Sequence, residues 1–60
     1  METKYLLMAC VEREDGTTFE QLITYLNEAQ RHNTRFINYA IDCFKKMLGR
    51  GYYVANTWIE

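Results

Sequence analysis

The chain has 60 residues and a formal charge of -1, and 48% of its side chains are hydrophobic. That length supports one domain, and a domain so small buries only about 60% of the surface its unfolded chain exposes. The composition excludes disorder, which needs few apolar groups and high net charge, and near-neutrality gives no general attraction to nucleic acid or membrane.

Small scaffolds offset a thin core with disulfides, a metal or a second subunit. Only Cys10 and Cys43 are available for the first two, so self-association is the expected support. The apolar run from Tyr5 to Val11 is followed at once by Glu12, Arg13, Glu14 and Asp15. It lacks the small-residue cleavage site of a signal peptide and is far short of the roughly 20 residues that span a bilayer. A cytoplasmic protein with reduced thiols and no membrane partner is expected. With no proline and no repeat, residues 1–60 read as one unit.

The first segment, about Thr3 to Arg13, is apolar on too many sides for periodicity to separate a buried helix from a buried strand. Leu, Met and Ala outnumber β-branched residues, which favours helix. Asp15-Gly16 then breaks the chain. Asp-Gly between apolar runs signals a hairpin, but Phe19, Leu22, Ile23 and Leu26 follow at i, i+3, i+4 and i+7, a helical stripe. Thr17-Thr18-Phe19-Glu20 fits a capping box, so a helix starting near Thr18 is predicted.

That helix weakens through Asn27 to His32, although a continuous helix through Asn33 is not forbidden. Asn33 or Thr34 offers a fresh N-cap. Phe36, Ile37, Ala40, Ile41, Phe44 and Leu48 then repeat at helical spacing, predicting a helix over about Thr34 to Leu48. Lys45 and Lys46 complement the dipole of its last turns, and Gly49 is placed to supply the left-handed residue beyond it. From Tyr52 to Glu60 aromatic and β-branched residues predict one strand, or a cramped hairpin turning near Asn56-Thr57.

Charge is polarised along the chain. Residues 1–30 hold Lys4 and Arg13 against Glu2, Glu12, Glu14, Asp15, Glu20 and Glu28, whereas residues 31–51 hold Arg31, Arg35, Lys45, Lys46 and Arg50 against Asp42 alone. The expected order is mainly α with a short C-terminal β segment. The phrase Phe44-Lys45-Lys46-Met47-Leu48-Gly49-Arg50-Gly51-Tyr52-Tyr53-Val54 resembles the end of a recognition helix turning into a wing, as in the winged helix-turn-helix superfamily.

That resemblance implies a three-helix helix-turn-helix core with a truncated wing, and a homodimeric DNA-binding protein regulating transcription. The third helix would lie in the major groove with Arg35, Asn38, Tyr39, Asp42 and Lys46 outward. Arg35 and Asn38 could read guanine and adenine edges. Arg31, His32, Asn33 and Arg50 could hold phosphates. A tail this short departs from a complete two-stranded wing, and Asp42 interrupts the reading face.

A protein-binding reading stands beside it. Tyr39, Tyr52, Tyr53 and Trp58 offer more aromatic surface than a thin core needs, and tyrosine and tryptophan anchor protein interfaces. Enzymatic and metal readings are weak. Cys10, Cys43 and His32 include no Cys-x-x-Cys pair and supply three ligands at most. No glycine-rich phosphate loop is present, and no catalytic residue, metal or cofactor is expected.

Overall fold

The computed structural model describes residues 4–60; Thr3, the expected start of the first segment, lies outside them. The element order is β1 (Tyr5–Arg13), β2 (Thr18–Leu26), α1 (Glu28–Arg31), α2 (Thr34–Met47) and β3 (Tyr52–Ile59). The strands form one antiparallel sheet in the order β2-β1-β3. The expected mainly α architecture is therefore corrected. The first two predicted helices are strands, and the described residues form neither a three-helix core nor a helix-turn-helix with a wing.

β1 is strand because it is the centre of the sheet. Its odd residues Leu7, Ala9 and Val11 are fully buried, and with Leu26 they are the buried hydrophobic core. Pairing on both edges holds a run whose Leu, Met and Ala would suit a helix equally well, so tertiary context overrides propensity.

β2 imitated a helix because it carries a β-bulge. Leu7 pairs with Thr24 and Met8 with Leu22, which leaves Ile23 as the extra residue. In a regular strand, residues seven apart point to opposite faces. The bulge reverses the alternation once, so Phe19, paired with Val11, and Leu26, paired with Tyr5, face the same side. Their seven-residue spacing is also two helical turns. A second irregularity leaves Ala55 unpaired between Val54, opposite Val11, and Asn56, opposite Cys10.

Asp15-Gly16 makes the hairpin between β1 and β2. Gly16 N–H donates to the Arg13 carbonyl at 2.9 Å and Arg13 N–H to the Thr17 carbonyl at 2.8 Å. Gly16 has φ 89. This is a type I turn closed by a left-handed glycine, the usual form of a three-residue hairpin loop. The expected Thr17 cap is replaced by an Asp15 turn, since Asp15 Oδ1 accepts from the Thr17 amide at 3.0 Å and the Thr17 hydroxyl at 2.7 Å.

Two helical segments follow. α1 is a single turn capped by Asn27, whose side chain accepts from the Gln30 amide at 2.8 Å while Gln30 Oε1 accepts from the Asn27 amide at 2.9 Å. α2 agrees closely with the predicted third helix, and Asn33 is its N-cap, accepting from the Phe36 amide at 3.1 Å. Its apolar stripe, Phe36, Ile37, Ala40, Ile41 and Phe44, is half-buried against the face of Leu7, Ala9 and Val11. Gly49 does not take the expected left-handed conformation. Leu48 leaves the helix in an extended conformation, and Gly51, at φ 87, makes the turn into β3.

Candidate functional site

Alternation sorts the sheet into two faces. Residues paired directly across strands point the same way, so Tyr5, Leu7, Ala9, Val11 and Arg13 share the helix-covered face with Leu26, Phe19, Val54, Thr57 and Ile59. Side-chain contacts agree. Arg13 stacks 4.4 Å over the Phe19 ring, and Phe19 meets Tyr52 edge-on at 6.4 Å.

No helix among the described residues covers the opposite face. Its middle row is Leu22, Met8 and Trp58, one residue from each strand. The row toward the start of β1 is Tyr25, Leu6 and Glu60, with Leu6 and Glu60 exchanging backbone hydrogen bonds of 2.9 and 3.0 Å. Lys4 lies beyond it, its Nζ 5.8 Å from the Tyr25 ring centroid. On the other side of the middle row come Glu20, Cys10 and Asn56, then Thr18, Glu12 and Tyr53.

Leu6, Met8, Leu22 and Trp58 are only half-buried, and Tyr25 and Tyr53 are 56% and 57% exposed. Large apolar side chains clustered over three strands, with charge at the margins, make the kind of patch that marks an interaction surface or a ligand groove. The Trp58 indole N–H donates to Glu60 Oε1 at 3.1 Å, which fixes the ring across the patch.

The residues expected to bind nucleic acid are not one cluster. Arg35, Asn38, Tyr39 and Lys46 are exposed on the outer side of α2 with Asp42, as the periodicity predicts, and Arg50 is exposed in the turn before β3. Asn33 is occupied in capping. Arg31 and His32 instead belong to a cluster around Glu28. Arg31 Nε and His32 Nε2 lie 3.2 and 3.4 Å from its carboxylate, and the Arg31 guanidinium sits 4.6 Å over the Tyr5 ring. The Tyr5 hydroxyl donates to Glu28 Oε2 at 2.6 Å. That bond holds the Glu28 carboxyl below its ordinary range, with Arg31 adding to it, and raises the Tyr5 phenol.

The expected partner-binding trio is also divided. Tyr53 and Trp58 lie on the open face, whereas Tyr52, paired with Arg13, lies on the helix side against Phe19. Leu6, Met8, Leu22 and Tyr25 were missed. The unbroken apolar run of β1 is the signal that points to Leu6 and Met8, since a strand apolar on both sides needs cover on both; Leu22 and Tyr25, on β2, carry no such signal.

A second apolar hollow of about 370 Å³ runs beside the β2 edge, among Leu22, Ile23, Phe36, Ala40, Cys43 and Met47. Cys10 and Cys43 are free thiols. The neighbouring Cys43 thiol raises the Tyr39 phenol. No helix among the described residues is long and apolar enough to cross a membrane. No family model matches the chain, and neither a curated protein nor a solved structure is significantly similar to it.

Proposed function

We propose that the protein is a protein-interaction module whose binding surface is the open face of the sheet, working in the cytoplasm, where Cys10 and Cys43 stay reduced. The observation that carries this reading is the Leu22-Met8-Trp58 row, flanked by Leu6 and Tyr25, with no element among the described residues packed over it. Burying a Leu, Met or Phe-sized side chain is worth about 1.5–3 kcal/mol, so covering five such groups supplies the apolar centre that an interface needs. The surrounding Lys4, Glu12, Glu20 and Glu60 form a polar rim of the kind that sets orientation. In-cell photo-cross-linking tests it. A cross-linking side chain at position 22 should capture protein, and one at position 38, on the outer side of α2, should not. Equal capture at the two sites, or none at position 22, overturns the reading.

A second reading keeps double-stranded DNA as a partner, on the outer side of α2. It is favoured by Arg35, Lys45, Lys46 and Arg50, exposed cations that form no ion pair among the described residues. Binding to random duplex across a salt series decides it, because phosphate contacts must weaken as salt rises. No binding at low salt, or binding unchanged in Arg35→Ala, removes this reading.

A further inference from the structure

We infer that the partner on the open face is a second copy of this chain, stacked sheet on sheet about a two-fold axis that crosses the strands at Met8. The inference rests on the reading of the open face as the binding surface, and charge and register select both the occupant and its orientation.

Lys4 and Glu12 lie on the open face of the same strand segment, four residues before and four after Met8. A two-fold axis through the Leu22-Met8-Trp58 row and perpendicular to β1 places each of those three residues against its own copy. The same operation reverses the strand direction, so Lys4 of one copy faces Glu12 of the other, twice per dimer. Facing sheets are about 10 Å apart, a gap that a lysine and a glutamate reaching from opposite sides can close.

The neighbouring rows match under the same operation. The Tyr25-Leu6-Glu60 row of one copy falls over the Glu20-Cys10-Asn56 row of the other. Tyr25 can then donate its phenol hydrogen to Glu20, the Asn56 amide can donate to Glu60, and Leu6 packs on Cys10. Because Lys4 already lies at the Tyr25 ring, it would stand between Glu12 and Glu20 of the facing copy. The surface is thus complementary to itself, as an isologous interface requires.

The other face-to-face two-fold arrangement, with its axis along β1, stacks Lys4 on Lys4 and Glu12 on Glu12. It is rejected by like-charge repulsion, which costs an interface enough to exclude a wrong register. Size is consistent. The Cα extents of 41 × 19 × 14 Å describe a slab, whose broad face is comparable with the ~800 Å² each partner contributes to a standard interface.

Sedimentation equilibrium on the purified full chain, at low salt and over a wide concentration range, tests the inference. The wild type should sediment at twice the 7.2 kDa chain mass. Met8→Glu should be monomeric, with circular dichroism confirming that it folds. Lys4→Glu and Glu12→Lys should each weaken the dimer at least tenfold, and the double variant Lys4→Glu/Glu12→Lys should restore it. A monomeric wild type overturns the second-copy inference, while capture of other proteins from position 22 would leave the open-face reading standing. A dimer that survives Met8→Glu puts the contact between copies on another surface and overturns the second-copy inference for this face, while capture from position 22 still decides the open-face reading. A dimer lost in Met8→Glu but not rescued by the charge exchange refutes the Lys4–Glu12 pairing alone.

Discussion

Tyr5, at the start of the central strand, donates a 2.6 Å hydrogen bond to Glu28 in the first turn of α1, joining two residues 23 positions apart. The pairing ties the β2–α2 connection to the helix-covered side of the sheet, and Arg31 completes it by lying on the Tyr5 ring while approaching the same carboxylate.

The pH dependence of stability follows from this pair. Glu28 is held below its ordinary range in the folded chain, so its contribution is present above the unfolded carboxyl pKa, about 4.3, and is lost as pH falls through the lower folded value. Tyr5 is raised, so its contribution is present below the ordinary phenol pKa, about 10, and is lost as pH rises through the higher folded value. Tyr5→Phe should lower the melting temperature near neutrality, and the gap from wild type should narrow below about pH 4 as Glu28 takes its proton. Melts from pH 3 to 8 check this; a gap independent of pH would remove Glu28 from the explanation.

The two turn glycines separate from the third. Gly16 has φ 89 with nothing near the position of an added Cβ, so Gly16→Ala should cost about 1–2 kcal/mol from backbone strain alone. At Gly51, φ 87 is combined with a Glu14 side-chain carbon 3.1 Å from the added Cβ, and the loss should be larger. Gly49 has no such conformation and would meet only Tyr52 at 3.9 Å. Gly49→Ala should be neutral or stabilising, by up to about 1 kcal/mol. Urea denaturation of the three variants ranks them.

Asn33→Ala should destabilise by about 1 kcal/mol, the usual loss when an N-cap oxygen no longer meets the helix amides. Far-ultraviolet circular dichroism through a urea titration would show an earlier transition, and Asn33→Asp should retain most of the wild-type midpoint.

The core contrast lies within β1. Leu7 is 1% exposed, so Leu7→Ala should cost about 2–5 kcal/mol, enough to abolish cooperative folding in so small a domain. Leu6, half-buried on the open face, should lose markedly less as Leu6→Ala. Equal losses for the two variants would contradict the assignment of faces.

The pattern of what was legible in the sequence has a physical basis. α2 was readable because Asn33 caps it and its stripe repeats without interruption from Phe36 to Phe44, and β3 because Tyr, Val, Thr and Trp suit a pleated surface. β1 was not, since a central strand apolar on both sides has no period to detect. β2 was misleading, because the bulge at Ile23 restores same-face placement at a helical spacing. Asp15-Gly16 carried the correct hairpin signal, and the apparent cap at Thr17 outweighed it. For the site, Tyr53 and Trp58 were reachable as surplus aromatics, whereas Met8 and Leu22 acquire meaning only once the register sets them beside Trp58.

The strand order β2-β1-β3 also governs how the chain can assemble. The central strand is made first, but one of its two partners, β3, follows α2. Until Tyr52–Ile59 is available, β1 presents an unpaired, strongly apolar edge, and closing that long-range contact carries the largest loop-entropy cost in the fold. Docking of β3 is therefore expected to limit the folding rate, and the nascent hairpin, with Leu6, Met8 and Leu22 exposed, to be the species most prone to aggregate or to engage a chaperone before the sheet is complete.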